Sequence, residues 1–197
     1  MRLNRVAAKL HKTPVKYWDK GSDQWVDTDL IGKLEVYDRF ISDRSFGQRK
    51  RLFLTSPENQ LQPAMKIIKV GDLEDPYMVE SINQDLGDTY PHLSVHMLQE
   101  VPFRSEIYKL SGTKRPSGAV KDAVETLVDS TYCNLDRYGN LNAKGVLTVD
   151  FSMMSIYLPS DTTVDGDCFV KVQGETYDVV EVAPMMGITM LRAQKRG

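Results

Sequence analysis

The alternation of apolar and polar positions dominates this chain from about residue 30 onward. Short β-patterned runs fall at Leu30–Tyr37, Arg49–Thr55, Ala64–Val70, Tyr77–Ile82, His92–Leu98 and Arg104–Leu110. The breaks between them hold turn formers: Ser56-Pro57, Gly71-Asp72, Asp75-Pro76, Asp85-Leu86-Gly87-Asp88 and Pro102. A repeat of about twelve residues without an intervening helical period is the rhythm of an antiparallel sandwich or barrel. The β pattern resumes at Val146–Leu158, Cys168–Gln173, Tyr177–Val182 and Ile188–Arg192. Within the first of these, the apolar phase runs through Leu147, Val149, Phe151 and Met153, then slips to Met154, Ile156 and Leu158. Such a slip predicts a bulge or strong bend near Met153. Residues 165–182 form a compact hairpin signal, in which Asp165-Gly166-Asp167 turns the chain and Gly174-Glu175 reverses it again.

Two stretches break the β pattern. Leu3, Val6, Ala7 and Leu10 fall at helical spacing with Arg2, Arg5, Lys9 and Lys12 on the other faces, predicting a short amphipathic helix ended by Thr13-Pro14. So short a helix is marginal alone and needs a partner surface, its own barrel or a neighbouring subunit. The run Ser111–Gly118 is rich in Ser, Gly and Pro and reads as a linker. After it, Val120, Val124, Leu127 and Val128 suit either one helical face or an extended segment, and Tyr132 to Lys144 reads as a polar loop. The predicted fold is mostly β, an antiparallel β-barrel or sandwich with a short N-terminal helix and extended termini. Its expected divisions are a basic arm over 1–29, a β-domain over 30–110, a linker and loop over 111–145, and barrel hairpins with a basic tail over 146–197. Residues 30–197 also suit one composite domain.

Composition adds limits. The chain has 197 residues, 41% of them hydrophobic, enough to bury a core. No window approaches the length of a membrane helix, and residues 1–14 lack the apolar run of a secretory signal, so no membrane is expected. Cys133 and Cys168 are the only cysteines, too few for a disulfide framework or a four-ligand zinc site. The net charge of -2 conceals an uneven distribution. Arg2, Arg5, Lys9, Lys12, Lys16 and Lys20 face only Asp19 in residues 1–20; Arg44, Arg49, Lys50 and Arg51 form a second basic cluster; Arg192, Lys195 and Arg196 form a third. Gly71 to Asp88 is acidic, with Asp72, Glu74, Asp75, Glu80, Asp85 and Asp88. Complementary patches of this kind suit docking on an acidic surface or head-to-tail assembly.

Catalytic patterns are weak. The chain contains neither a phosphate-cradling GxGxxG or GxxxxGK[ST] run nor a GxSxG elbow. His92 and His96 on one strand would lie about two pleats apart, too far to share a metal easily. Asn134, Asp136 and Gly139 echo a calcium loop, but Tyr138 and Gly145 stand where ligands are required. The run Arg44 to Arg51, with Phe46 and Phe53, is compatible with a phosphate-tracking, base-stacking surface of the OB type. No cofactor is expected.

The run at 157–182, YLPSDTTVDGDCFVKVQGETYDVVEV, resembles the C-terminal barrel hairpin of tailed-bacteriophage head-closure and head–tail joining proteins. The Asp-Gly-Asp turn and the reversal carrying Gly174, Tyr177 and Val179 bear the likeness. The stretch from Ala64 to Leu98 has the strand, acidic turn, strand rhythm of neck and connector proteins. Simple head-closure proteins are close to half this length, so residues 30–110 would be an added β-domain or an enlarged barrel. The resemblance implies a non-enzymatic structural protein of the virion, assembled in the host cytoplasm, forming a cyclic ring in the neck. The implied partners are further copies of the chain, the portal protein, and tail or tail-terminator proteins. Arg2, Arg5, Lys9, Lys12, Arg192, Lys195 and Arg196 would dock on those partners. Arg44, Arg49, Lys50 and Arg51 would face packaged DNA in the channel without sequence preference. A tail or baseplate protein, and an OB-like nucleic-acid-binding module, are the alternatives.

Overall fold

The computed structural model describes residues 13–36, 50–58, 60–73, 75–81, 93–114, 120–141, 147–185 and 187–197. The helix expected over Leu3–Lys12 lies outside them. The described residues form twelve strands: β1 (Thr13–Asp19), β2 (Gln24–Val36), β3 (Lys50–Thr55), β4 (Ile67–Val70), β5 (Tyr77–Ser81), β6 (Ser94–Glu100), β7 (Phe103–Lys114), β8 (Val120–Leu141), β9 (Leu147–Pro159), β10 (Cys168–Val172), β11 (Glu175–Pro184) and β12 (Ile188–Lys195). They close into two antiparallel six-stranded barrels, in the orders β1-β2-β3-β6-β5-β4 and β10-β11-β12-β9-β8-β7. The chain passes from one barrel to the other at Val101-Pro102, where proline cannot continue a ladder.

Each barrel is filled by the alternating residues of its own strands. Phe53, Ile68 and Leu98 are sealed in the first, and Ile107, Ile156 and Leu191 in the second. Burial of each such side chain contributes about 2–3 kcal/mol, so these interiors outweigh the surface ion pairs, worth about 1 kcal/mol or less apiece.

Three expectations change. Part of the basic arm assigned to 1–29 is β1 and the start of β2, paired from Thr13↔Gly32 to Asp19↔Gln24. Its strand is hard to read because it buries Val15 toward its barrel and Trp18 toward the other, which breaks the two-residue alternation. The linker and loop assigned to 111–145 contain the end of β7 and all of β8; Ser111 pairs with Val124 and Phe103 with Cys133. The basic C-terminal tail is no extended arm. Ile188, Leu191 and Ala193 face buried surroundings, so residues 188–195 form a wall strand between β11 and β9.

Other expectations hold. The register irregularity falls between Val149 and Met154, which lie opposite Gly139 and Arg137. The β10–β11 hairpin forms as expected but turns one residue earlier than Gly174-Glu175: Val172 pairs with Glu175, and the loop is Gln173 and Gly174, with φ of 52° and 79°, the paired positive values that a type I′ loop demands. The Asp165 turn closes by Cys168 N–H donating to the Asp165 carbonyl at 3.2 Å. Lys109 bonds the Asp165 carboxylate at 2.7 Å and is the leading cause holding it below the ordinary carboxyl value.

The barrels meet through side chains of both. Trp18, Ile67, Met78, Val101 and Ile188 form a buried cluster against which Trp25, Tyr132 and Tyr157 pack. Trp18 and Tyr132 meet edge to face with centroids 5.3 Å apart. The Arg104 guanidinium lies 4.7 Å from the Trp18 ring centre and pairs with Asp23. Nearby, the buried Asp129 carboxylate accepts from Lys20 Nζ at 2.5 Å, Thr163 N–H at 2.7 Å and Ser130 N–H at 2.8 Å.

Candidate assembly surface

The second barrel carries an element that its own core does not use. Along β7, Ser105 to Lys109 are held by β10 on one side and β8 on the other. Past Lys109, β7 keeps only β8, with Leu110 opposite Glu125 and Lys114 opposite Val120. β8 meets β9 only from Asn134 onward. Residues 110–114 and 120–128 therefore make a two-stranded ribbon beyond the barrel, and no described strand pairs with either of its outer edges. Every residue from Ala123 to Val128 is exposed. Val124 is 61% and Leu127 52% accessible, and Leu110 and Val128 are exposed as well. Register shifts at Ile107/Tyr108 and at Ser111/Thr113 mark bulges, which bend a strand and increase its local twist.

The base of the ribbon is braced. Phe169 and Lys171 alternate with the core-facing Cys168, Val170 and Val172, so they lie on the outer face. Phe169 is nevertheless buried, because Tyr108 stacks on it at 5.6 Å and 15° and the Arg196 guanidinium covers it at 4.6 Å. Lys171 sits 4.4 Å from the Tyr108 ring centre and pairs with Glu125 at 2.5 Å. Glu125 is the leading cause that raises the Lys171 ammonium above its ordinary value. The hydrogen bond to Glu106 does the same to the Tyr108 phenol. The ribbon thus leaves the barrel on a plate of stacked aromatic rings and cations.

Only some of the charged residues singled out in the sequence are described, and those lie in two separate barrels. Arg2, Arg5, Lys9, Lys12, Arg44 and Arg49 lie outside the described residues. Lys50 opens β3 opposite Gln99. Arg51 is partly buried, with its guanidinium 3.6 Å from the Glu100 carboxylate. Arg192 lies partly buried in β12. Lys195 pairs with Glu175 at 2.9 Å, which raises its ammonium. Arg196 chelates Asp178 through Nε at 3.1 Å to both oxygens, and its N–H donates to the Thr176 carbonyl. These two C-terminal cations are spent within the second barrel.

His92 lies outside the described residues, while His96 faces the interior of the first barrel beside Phe53. Asn134 and Asp136 lie in β8 rather than in a loop, and Asn134 Nδ2 donates to the Glu100 carbonyl at 2.9 Å. Among the described residues, no three His, Cys, Asp or Glu side chains form a metal-holding group. Both cysteines are free and buried, and burial pushes the Cys133 thiol up to about 12. No helix among the described residues is long and apolar enough to cross a membrane.

The sequence left residues 120–128 open between a helical face and an extended segment, and the structure takes the extended one; Ser111–Gly118 hid the continuation of β7 because it carries the composition of a linker. The available signal was the pattern after it, where Val124, Leu127 and Val128 form no regular strand face. No protein-family model matches the chain, and no curated protein matches it.

Proposed function

We propose that this chain is a structural, non-enzymatic subunit of a tailed-phage virion, forming a ring in the neck that joins portal and capsid to the tail and lines the DNA channel. One observation carries the assembly part of this reading: the six consecutive exposed residues Ala123 to Val128 on a ribbon with open edges. A two-stranded ribbon is marginal in water on its own, and an unpaired strand edge is a template for another chain. The closed wall of a barrel has no edges, so a ribbon that projects beyond it offers a second copy an edge to pair with. A contact between the ribbon of one copy and a different surface of the next is heterologous, and such contacts form a ring where the rotation between copies closes. The neck assignment rests on the resemblance of residues 157–182. Lumen contact with DNA falls to Arg44, Arg49 and Lys50, since Glu100 already engages Arg51.

The test is ring formation on purified portal protein, read by negative-stain microscopy. The chain is expected to be monomeric or weakly associated alone and to form rings on the portal. The double substitution Val124→Lys, Leu127→Lys should abolish the rings while shifting stability by no more than about 0.5 kcal/mol, because both side chains are exposed. Failure of the unmodified chain to form rings refutes the neck assignment. Low-salt binding of single-stranded DNA that disappears when Arg49, Lys50 and Arg51 are neutralised favours the nucleic-acid module instead.

A further inference from the structure

The two long edges of the ribbon belong to different strands. On one side, residues 110–114 of β7 run past the last β10 pair, Cys168↔Lys109. On the other, residues 120–128 of β8 precede the first β9 pair, Asn134↔Tyr157. Both edges stand in solvent, since Leu110, Ser111 and Gly112 on β7 are exposed, as is every residue from Ala123 to Val128 on β8. Exposed strand edges are commonly blunted by lysine or proline, and residues 123–128 (AVETLV) contain neither. Their one charge, Glu125, is engaged by Lys171. Leu110 lies opposite Glu125 and Tyr108 opposite Leu127, so these four share the face that continues the outside of the barrel, where Tyr108 stacks on Phe169. That brace sets the direction in which the ribbon leaves the wall and presents both edges in a fixed orientation.

We propose that the β8 edge of each copy's ribbon adds to the β7 edge of the next copy's ribbon, so that the ribbons of a ring join into one antiparallel β-cylinder with two strands from each copy. The strand directions already fit. β7 and β8 are antiparallel within a ribbon, and rotation about an axis along the ribbons keeps each strand's direction. β8 of one copy is therefore antiparallel to β7 of its neighbour, as a ladder of perpendicular hydrogen bonds requires. A strand added at an edge gains affinity from main-chain hydrogen bonds, and a closed cylinder leaves no edge over. Two-fold pairing of β8 with β8 would satisfy one edge and leave the β7 edge of each copy open. Head-to-tail pairing satisfies both edges of every copy. This inference rests on the assembly reading above and names the surface that the ribbon meets, which is the opposite edge of an identical ribbon.

Disulfide trapping in the full chain tests it. The donor variant carries Val124→Cys, a change that nearly conserves size; the acceptor variants carry Leu110→Cys, Ser111→Cys, Thr113→Cys or Lys114→Cys, which sample the β7 edge whatever the register. Cys133 and Cys168 are buried and stay silent. Thr126→Cys, one pleat from Val124 and also exposed, is a second donor that keeps the test decisive if Val124→Cys weakens the rings. Donor and acceptor are mixed on portal and mildly oxidised. At least one pair is expected to give a disulfide-linked dimer, about tenfold more than without portal. Either donor alone is expected to stay unlinked, because equivalent residues of neighbouring copies lie two strand spacings apart, about 9–10 Å, beyond the roughly 4.4–6.8 Å between Cα atoms that a disulfide spans. Rings that form without a cross-link at any acceptor overturn the cylinder and leave the ring reading standing. Linking of a donor to itself overturns it in favour of two-fold pairing, and linking only to portal overturns it as well. Failure of the unmodified chain to form rings removes both proposals together.

Discussion

His96 is the residue whose environment departs most from its chemistry. It is fully buried in the first barrel, with its ring centre 6.2 Å from that of Phe53, and among the described residues neither ring nitrogen has a hydrogen-bond partner. Burial alone lowers its pKa from 6.5 to about 4. The folded protein therefore refuses a proton that the unfolded chain accepts below its ordinary pKa. Stability is complete above pH 6.5, falls as the pH drops from 6.5 toward about 4, and levels off below that. The loss from this residue is on the order of 3 kcal/mol. His96→Leu should raise stability at pH 7 by about 1–2 kcal/mol, since it removes two unsatisfied buried nitrogens, and should flatten that part of the profile. Urea midpoints of both proteins at pH 7 and pH 5 check this; equal slopes for the two would exclude His96 as the source. The carboxyls of Asp19 and Asp165 are held low by partners, so their contributions are lost only at more acid pH, below their ordinary value of 3.8.

At the scale of elements, the β10–β11 hairpin and the β7–β8 ribbon differ in how much of their geometry is local. The hairpin needs two left-handed residues, and the chain supplies Gln173 and Gly174. A glutamine at φ of 52° carries the left-handed penalty of about 1 kcal/mol that asparagine largely escapes. Gln173→Asn should therefore raise the thermal midpoint by about 1–4 °C, corresponding to about 0.5–1 kcal/mol, as measured by calorimetry. An unchanged midpoint would mean that the strain is absorbed elsewhere. The hairpin was legible because its turn signals and its alternation coincide within eighteen residues. The ribbon was not, because no local preference distinguishes a strand that projects from a barrel from a polar linker. Its extended form follows from β7 and β8 being held together lower down, where Ser105 and Ile107 face Thr131 and Asp129.

At the scale of the whole molecule, two barrels act through one joint. Gly187, at φ of 75°, brings the β11–β12 loop so close to β5 that a Cβ there would lie 1.7 Å from the Glu80 carbonyl oxygen. Backbone on both sides leaves nothing to yield. Gly187→Ala should cost roughly 2–4 kcal/mol and, by prising the barrels apart at the Trp18 cluster, should split one unfolding transition into two. Scanning calorimetry reads both effects; a single transition at an unchanged temperature would show that the joint does not couple the barrels.

Period-two burial is a local property, so the chain's own pattern determined that it is mostly β, where ten of the twelve described strands lie, and, to within one residue, where the β10–β11 hairpin turns. Closure into two barrels, the boundary at Val101-Pro102 and the joint around Trp18 were decided only by the tertiary structure. These depend on which strands pair across long separations, and that information is shared among distant residues. The same holds for charge. Arg196 and Lys195 look like an arm in one dimension, and become surface ion pairs once β11 brings Asp178 and Glu175 beside them. Exposed apolar residues such as Val124 and Leu127 reverse the case: they look like core in the chain, and only the fold leaves them facing outward.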